Sequence, residues 1–214
     1  MFVAVQHEPL SDRDEIVALL GIGPSQASDL DRFCTMLTEA NSQMNLVAAG
    51  SLSAFWRRHV LDSAQLLSHA PDARVWADLG AGAGFPGLVL AILLKGEVGA
   101  RVHLVESQAK KCRFLDEMVR ALDLPAQVHN ARAESLKLKV EIVTARACAP
   151  LTRLLGYAAP FLQRGAKAVF LKGESLAEEI AVARKSWGFD AVTRPSVSDP
   201  RGRILLLSQV TRGH

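Results

Sequence analysis

Cysteine is scarce in this chain: Cys34, Cys112 and Cys148 lie scattered along 214 residues. Without paired spacing they exclude a disulfide framework and a zinc cluster, and they fit a reducing cytosol. No metal site is expected. Long hydrophobic runs are also missing. The longest, Leu88 to Leu94, is far short of the ~20 apolar residues that span a bilayer. Met1-Phe2-Val3-Ala4-Val5-Gln6-His7-Glu8 has no basic segment followed by an apolar core, so no secretion leader is read. Internal repeats, low-complexity linkers and the nucleophile elbow of serine hydrolases are absent as well.

What remains is an ordinary globular composition, 49% hydrophobic with a formal net charge of +3. At this length one domain with a modest extension is the default, and a monomer is expected. Mild basicity permits a nucleic-acid partner without requiring one. The positive charge is clustered, at Arg57-Arg58-His59, Lys110-Lys111-Cys112-Arg113 and Arg201-Gly202-Arg203. Such clusters can neutralise phosphates, although a solvated face is the ordinary role of any one of them.

The most specific stretch is Asp78-Leu79-Gly80-Ala81-Gly82-Ala83-Gly84-Phe85-Pro86-Gly87. An apolar run, Val75 to Ala77, precedes it, and a helix-like run beginning at Pro86 follows. A strand ending in an acid, then alternating glycines, then a helix is how an α/β fold cradles a nucleoside-bearing cofactor. The spacing is GxGxG, whereas the dinucleotide fingerprint is GxGxxG, which disfavours a nicotinamide oxidoreductase. A second strand, Arg101 to Glu106, ends in a carboxylate about 20 residues further on, where an acid accepts from ribose hydroxyls. Later strands are read at Ala126–His129, Ile142–Ala145, Lys167–Leu171, Phe189–Val192 and Arg203–Val210. The last two are separated only by a loop and predict an antiparallel hairpin at one edge.

Residues 1–73 read as a helical extension and 74–214 as the cofactor-binding domain. Ser11 caps a first helix that stops at Gly21 or Gly23, and a second runs from about Ser28 with Leu30, Phe33, Cys34 and Leu37 on one face. Ser51 is read as the cap of a third helix, on which Arg58 and Asp62, one turn apart, can pair at the surface.

Four blocks carry a family resemblance: Asn45-Leu46 with Arg58-His59-Val60-Leu61-Asp62-Ser63; the glycine loop; Val105-Glu106-Ser107 with Lys110-Lys111 and Phe114-Leu115; and Arg146-Ala147 with Lys172-Gly173. In this order they resemble the bacterial RsmG (GidB) family of 16S rRNA guanine-N7 methyltransferases. The resemblance implies a class I methyltransferase fold, Rossmann-like, with a mostly parallel seven-stranded sheet. It implies S-adenosylmethionine as methyl donor and 16S rRNA or the small ribosomal subunit as partner. Asp78, Gly80, Gly82, Gly84 and Phe85 would then line the cofactor, Glu106 would hold its ribose, and Ala133 and Glu134 would face the adenine. Arg146 would face cofactor or target, with His59 and Asp62 as further positioning candidates and Asn45 beside them. The basic clusters and the strand ends nominate Arg57, Arg58, Lys110, Lys111, Arg113 and Lys172 for RNA.

Guanine N7 presents a lone pair, so its methylation needs no general base, and none is evident. The Asn/Asp-Pro-Pro-aromatic motif of amine methylation is absent, since Arg146-Ala147-Cys148-Ala149-Pro150 stands in its place. A nucleophilic Cys148 would instead suit cytosine-C5 methylation, but the Pro-Cys order of those enzymes is missing. A buried structural cysteine is the expected role. A non-catalytic RNA-binding module on the same fold is the rival from another class.

Overall fold

The structure is a computed structural model that describes residues 11–213. The segment read for a leader therefore lies outside the described residues. Helix α1 (Asp12–Leu20) starts at Ser11, whose Oγ accepts the Asp14 N–H at 3.3 Å, and stops at Gly21 in the left-handed region. Helix α2 (Pro24–Met44) starts earlier than its apolar face predicts. Pro24, at the first helical position, has a φ already suited to a helix, and the Gln26 side chain accepts the Gly23 N–H. Leu30, Phe33 and Leu37 are fully buried on one face, while Cys34 is half-buried.

The third predicted helix is broken into pieces. A short α3 (Ala49–Leu52) is followed by a π-helical stretch Trp56–Leu61, by α4 (Asp62–Ala64) and by a 3-10 turn Gln65–His69. Ser51 caps nothing; it lies inside α3, and its Oγ donates to the Ala48 carbonyl at 2.7 Å. π segments recur where a helix is deformed to place side chains for function.

From Val75 onward strand and helix alternate: β1 (Val75–Leu79), α5 (Gly87–Leu93), β2 (Arg101–Glu106), α6 (Ala109–Ala121), β3 (Ala126–Asn130), β4 (Ile142–Arg146), α7 (Leu151–Leu162), β5 (Lys167–Lys172), α8 (Leu176–Ala183), β6 (Trp187–Pro195) and β7 (Arg203–Arg212). The sheet order is β3-β2-β1-β4-β5-β7-β6, parallel except for β7, which runs antiparallel to β5 and to β6. This is the fold that the alternation and the terminal hairpin predict. One face of the sheet shares a core with α1, α2, the π stretch and α5, built on Ile16, Phe33, Leu61, Trp76, Leu88 and Leu104. The other face packs α7 and α8 through Leu155, Phe161, Phe170 and Leu176. Registers Leu79↔Val105, Glu106↔Asn130 and Arg146↔Leu171 bring the carboxyl ends of β1, β2, β4 and β5 to one rim. Ligands of doubly wound sheets bind at that rim. No helix among the described residues is long and apolar enough to cross a membrane.

Candidate functional site: two linked cavities at the carboxyl rim

The glycine loop crosses the end of β1 and is tied to β2, because the N–H groups of Gly80 and Ala81 both donate to the Val105 carbonyl at 2.8 and 3.0 Å. Gly80 and Gly84 have φ of 71° and 95°, where a side chain is strained. Space excludes one too. A Cβ on Gly84 would collide with Leu88, and one on Gly80 would sit 2.7 Å from Cys148 Sγ. The helix opens at Gly87 with Pro86 as its cap, one position later than the sequence suggests.

Two carboxylates organise this half. Glu106 is buried, accepting the Gly82 N–H at 3.1 Å through Oε2 and the Gln108 N–H at 2.8 Å through Oε1. It thus fastens the loop to β2 and keeps lone pairs for a ligand. Asp78 is completely buried; its Oδ2 accepts the Gly87 N–H at 2.9 Å, and its Oδ1 has no partner among the described residues. Burial pushes its carboxyl up to about 7, against the pull of the Gly87 bond and of Arg146. Beside Glu106 lies a cavity of about 250 Å³ lined also by Leu79, Gly80, Ala133, Glu134 and Cys148. Ala133 is buried in its wall and Glu134 is exposed at its mouth.

The second cavity, about 700 Å³, opens on the other side of the loop, between Gly80, Phe85, Arg58, His59, Asp62, Lys111 and Arg146. Here the three positioning candidates meet. The Arg146 guanidinium lies 4.7 Å from the Phe85 ring centroid, donates to the Arg58 carbonyl at 3.0 Å and to His59 Nδ1 at 2.9 Å, and pairs with Asp62 Oδ2 at 3.3 Å. The His59 ring stacks on Phe85 at 4.4 Å and 15°, and its Nε2 lies 3.1 Å from Ser51 Oγ.

Proton positions follow from the chemistry. Arginine only donates, so His59 Nδ1 carries no hydrogen. Nε2–H then donates to Ser51, whose hydroxyl donates onward to Ala48. Burial, with Arg146 and Arg58 nearby, pulls the imidazole down to about 3, so it is neutral with both nitrogens engaged. Burial also lowers the Arg146 pKa, Asp62 opposing it, and the group stays charged.

Other residues depart from expectation. Asp62 does not pair with Arg58 along a helix; the π stretch turns it toward Arg146 and Ser198, whose Oγ donates to Asp62 Oδ1 at 2.6 Å. Phe85 is buried against Phe33, His59 and Arg146, so its ring forms the floor of the cluster. Asn45 ends α2 with φ 47°, a left-handed position that asparagine tolerates, and Leu46 and Val47 reach the cavity in its place. Lys172 is not a free phosphate ligand, since its ammonium is nearly buried, paired with Glu179 at 2.6 Å and bonded to the Ala149 carbonyl. Arg57 turns to α1 and pairs with Asp12 and Glu15. Arg58, Lys110 and Arg113 are exposed, and Lys111 lines the cavity. Cys148 is a thiol, its pKa raised by burial and by Asp78 and Glu106.

Sequence reasoning missed Ser51, Gln65, Ser198 and the left-handed Ala147 (φ 50°), which follows β4 and lines the cavity. Only the Arg-His-x-x-Asp-Ser block signalled that its segment matters.

Over residues 26–203 the chain matches the family described as rRNA small subunit methyltransferase G. It is 56% identical over 210 residues to the ribosomal RNA small subunit methyltransferase G of Caulobacter vibrioides, covering 98% of this chain and 97% of that one. It is 62% identical over 187 residues to the protein of the same name from another Caulobacter species, covering 87% and 85%. Among solved structures it is similar to a putative O-methyltransferase from Klebsiella pneumoniae, with TM-score 0.59, 14% identity and coverage of 92% and 95%. A mutant of MtNAS in complex with S-adenosylmethionine aligns with TM-score 0.56 and 13% identity, covering 91% of this chain and 82% of the other. The cofactor is S-adenosylmethionine, and the site fits it. Glycines leave room at the loop, Glu106 stands beside a nucleoside-sized cavity, and Asp78 Oδ1 is a buried acceptor without a donor. With the match spanning the loop, the rim and the His59–Asp62 segment alike, the chain belongs to the rRNA small subunit methyltransferase G family.

Proposed function

We propose that the protein methylates N7 of a guanine in 16S rRNA by direct in-line transfer, without a general base or a covalent intermediate. S-adenosylmethionine, when bound, supplies a methyl group activated by its positive sulfur. This chain's residues bind and orient. Gly80, Gly82 and Gly84 let the backbone approach the donor, Asp78 takes its ammonium, Glu106 its ribose hydroxyls, and Ala133 with Glu134 its adenine. The guanine enters the 700 Å³ cavity, where Arg146, fixed by Phe85, His59 and Asp62, sets the field and the contact surface. Proximity and a preorganised field supply several kcal/mol of barrier reduction in such transfers.

One observation carries the reading: the imidazole at this cavity has both nitrogens engaged. A mechanism that uses this imidazole to abstract a proton, as a hydroxyl acceptor would need, has no free ring nitrogen to work with, whereas N7 needs none. The raised Cys148 pKa argues in the same direction, because attack on cytosine C6 requires a thiolate.

Of the cations nominated from the sequence, Arg58, Lys110, Lys111 and Arg113 remain candidates for RNA phosphates, and the extension read over residues 1–73 contributes Arg58, His59 and Asp62 to the site on the domain at 74–214. A cytoplasmic monomer acting on the small subunit or its assembly intermediate completes the proposal. The test is methyl transfer from labelled S-adenosylmethionine to 16S rRNA and small subunits lacking the modification, followed by nucleoside analysis. Label in 7-methylguanosine is expected. Label in 5-methylcytosine would contradict the assignment, and RNA binding without transfer would leave a binding module.

A further inference from the structure

The loop between β6 and β7, residues 196–202, is joined to the helical segment at 62–65 by a dense polar lock. Gln65 is almost completely buried. Its Oε1 accepts the Val197 N–H at 2.9 Å, and its Nε2 lies 3.0 Å from both Ser196 Oγ and the Asp62 carbonyl. Ser198 Oγ adds the 2.6 Å bond to Asp62, the carboxylate that also holds Arg146. The loop is braced internally too. The Ser196 N–H donates to the Gly202 carbonyl, and Arg203 Nη1 donates to the carbonyls of Pro200 and Gly202 at 2.8 and 2.7 Å. A Cβ on Gly202 would meet Ser196 Cβ at 2.7 Å. Surface loops rarely receive so many directed bonds, and buried polar networks of this kind fix a single arrangement.

At the crest of this loop Arg201 points the opposite way energetically. Its backbone N–H is fixed by Asp199 Oδ1 at 2.8 Å, yet its side chain is 76% exposed and only 3.7 Å from that carboxylate at its nearest nitrogen. It lines the 700 Å³ cavity and also a neighbouring one of about 770 Å³, so it stands on the ridge between them. Arg58, Lys111 and Arg146 face the same space, and Asp62 is already paired. An arginine whose backbone is fixed and whose terminal nitrogens have no hydrogen-bond partner among the described residues, beside a cavity lined by three further cations and by Asp199, suits an anion with paired oxygens.

We infer that Arg201 binds an RNA phosphate flanking the target nucleotide, and that Gln65 and Ser198 are positioning residues that hold its loop over the acceptor cavity. The inference rests on RNA being the acceptor and does not depend on which atom receives the methyl group. Phosphate contacts of this kind set the register of a nucleic acid while the base enters its pocket.

The test is the dissociation constant for 16S rRNA lacking the modification, measured across potassium chloride concentration for wild type, Arg201→Gln, Ser198→Ala and Ser198→Thr. S-adenosylmethionine affinity and melting temperature are read alongside. Arg201→Gln should weaken RNA binding and make the salt slope shallower by about one, with cofactor affinity and melting temperature unchanged. Ser198→Ala should raise the RNA dissociation constant about threefold to tenfold, and Ser198→Thr should restore it. A wild-type slope for Arg201→Gln would overturn the phosphate contact. A Ser198→Ala protein that loses melting temperature but keeps its RNA affinity would overturn the positioning role. Should Ser198→Ala fail to fold, the exposed Arg201→Gln change carries the test. Misassignment of N7 would leave every one of these readings intact, and a wild type with no salt-dependent RNA affinity would identify failure of the acceptor reading itself.

Discussion

The two cavities are built in contrasting ways. The nucleoside side is made mostly of backbone: a glycine loop whose N–H groups bond to Val105 and Glu106, on strands adjacent in space and close in sequence. The acceptor side is made of side chains gathered from far apart. Asp62 meets Arg146 across 84 residues and Ser198 across 136. A glycine loop of this kind recurs in many α/β proteins, while the proposed acceptor surface is assembled by long-range side-chain contacts.

The sharpest way to break that contrast is at Arg146, where the acceptor side is most interdependent. Arg146→Gln removes the partner of Asp62 and of His59 together, and methyl transfer should fall by about 100-fold or more, with cofactor affinity much less affected. An equal loss in both would show that Arg146 belongs to the cofactor side.

A smaller effect is expected from Gly80→Ala, which tests the backbone side. A left-handed φ and the Cys148 contact together cost about 1–3 kcal/mol, and relief of that strain by a shifted loop should weaken cofactor binding, by at most roughly 150-fold. Adding Cys148→Ala should recover only part, because the φ strain remains; full recovery would show that crowding alone matters there.

The smallest effect is one of pH. Asp78 has its carboxyl pushed up to about 7 in the folded protein, above its unfolded value near 4. The folded state therefore holds more protons in that window, and ligand-free stability declines as pH rises from about 4 to about 7, then levels off. In the proposed binding mode ionised Asp78 attracts the donor's ammonium, which predicts that cofactor affinity climbs severalfold over the upper part of the same window. Asp78→Asn should remove both trends in melting curves and titration calorimetry; persistence of either would assign it to another group.

These contrasts also explain what could be read from sequence. The fold was legible because the central strands β1, β4 and β5 are short and largely apolar and the GxGxG spacing is local. Glu106 was legible because its distance from the loop is set by one helix and one strand. The partners of Asp62 were not. A helical reading of the Arg58–Asp62 spacing assumes an α-helix, and the π stretch Trp56–Leu61 changes which side chains share a face. Lys172 looked available at a strand end, but its partner Glu179 comes from α8, after a loop whose course the sequence does not specify. Ser51 signalled only a helix cap and Gln65 nothing, because serine and glutamine are ordinary helix-end and helix-surface residues until a buried partner is known.

The proposed acceptor site positions its substrate without abstracting a proton. The most direct measurement is the single-turnover rate of methyl transfer to unmodified small subunits, at saturating S-adenosylmethionine, between about pH 6 and 8.5. A flat profile is predicted, because His59 is neutral with both nitrogens engaged throughout and guanine N7 needs no deprotonation. A rate that rises with pH through an ionisation, and loses that rise in His59→Asn, would contradict it.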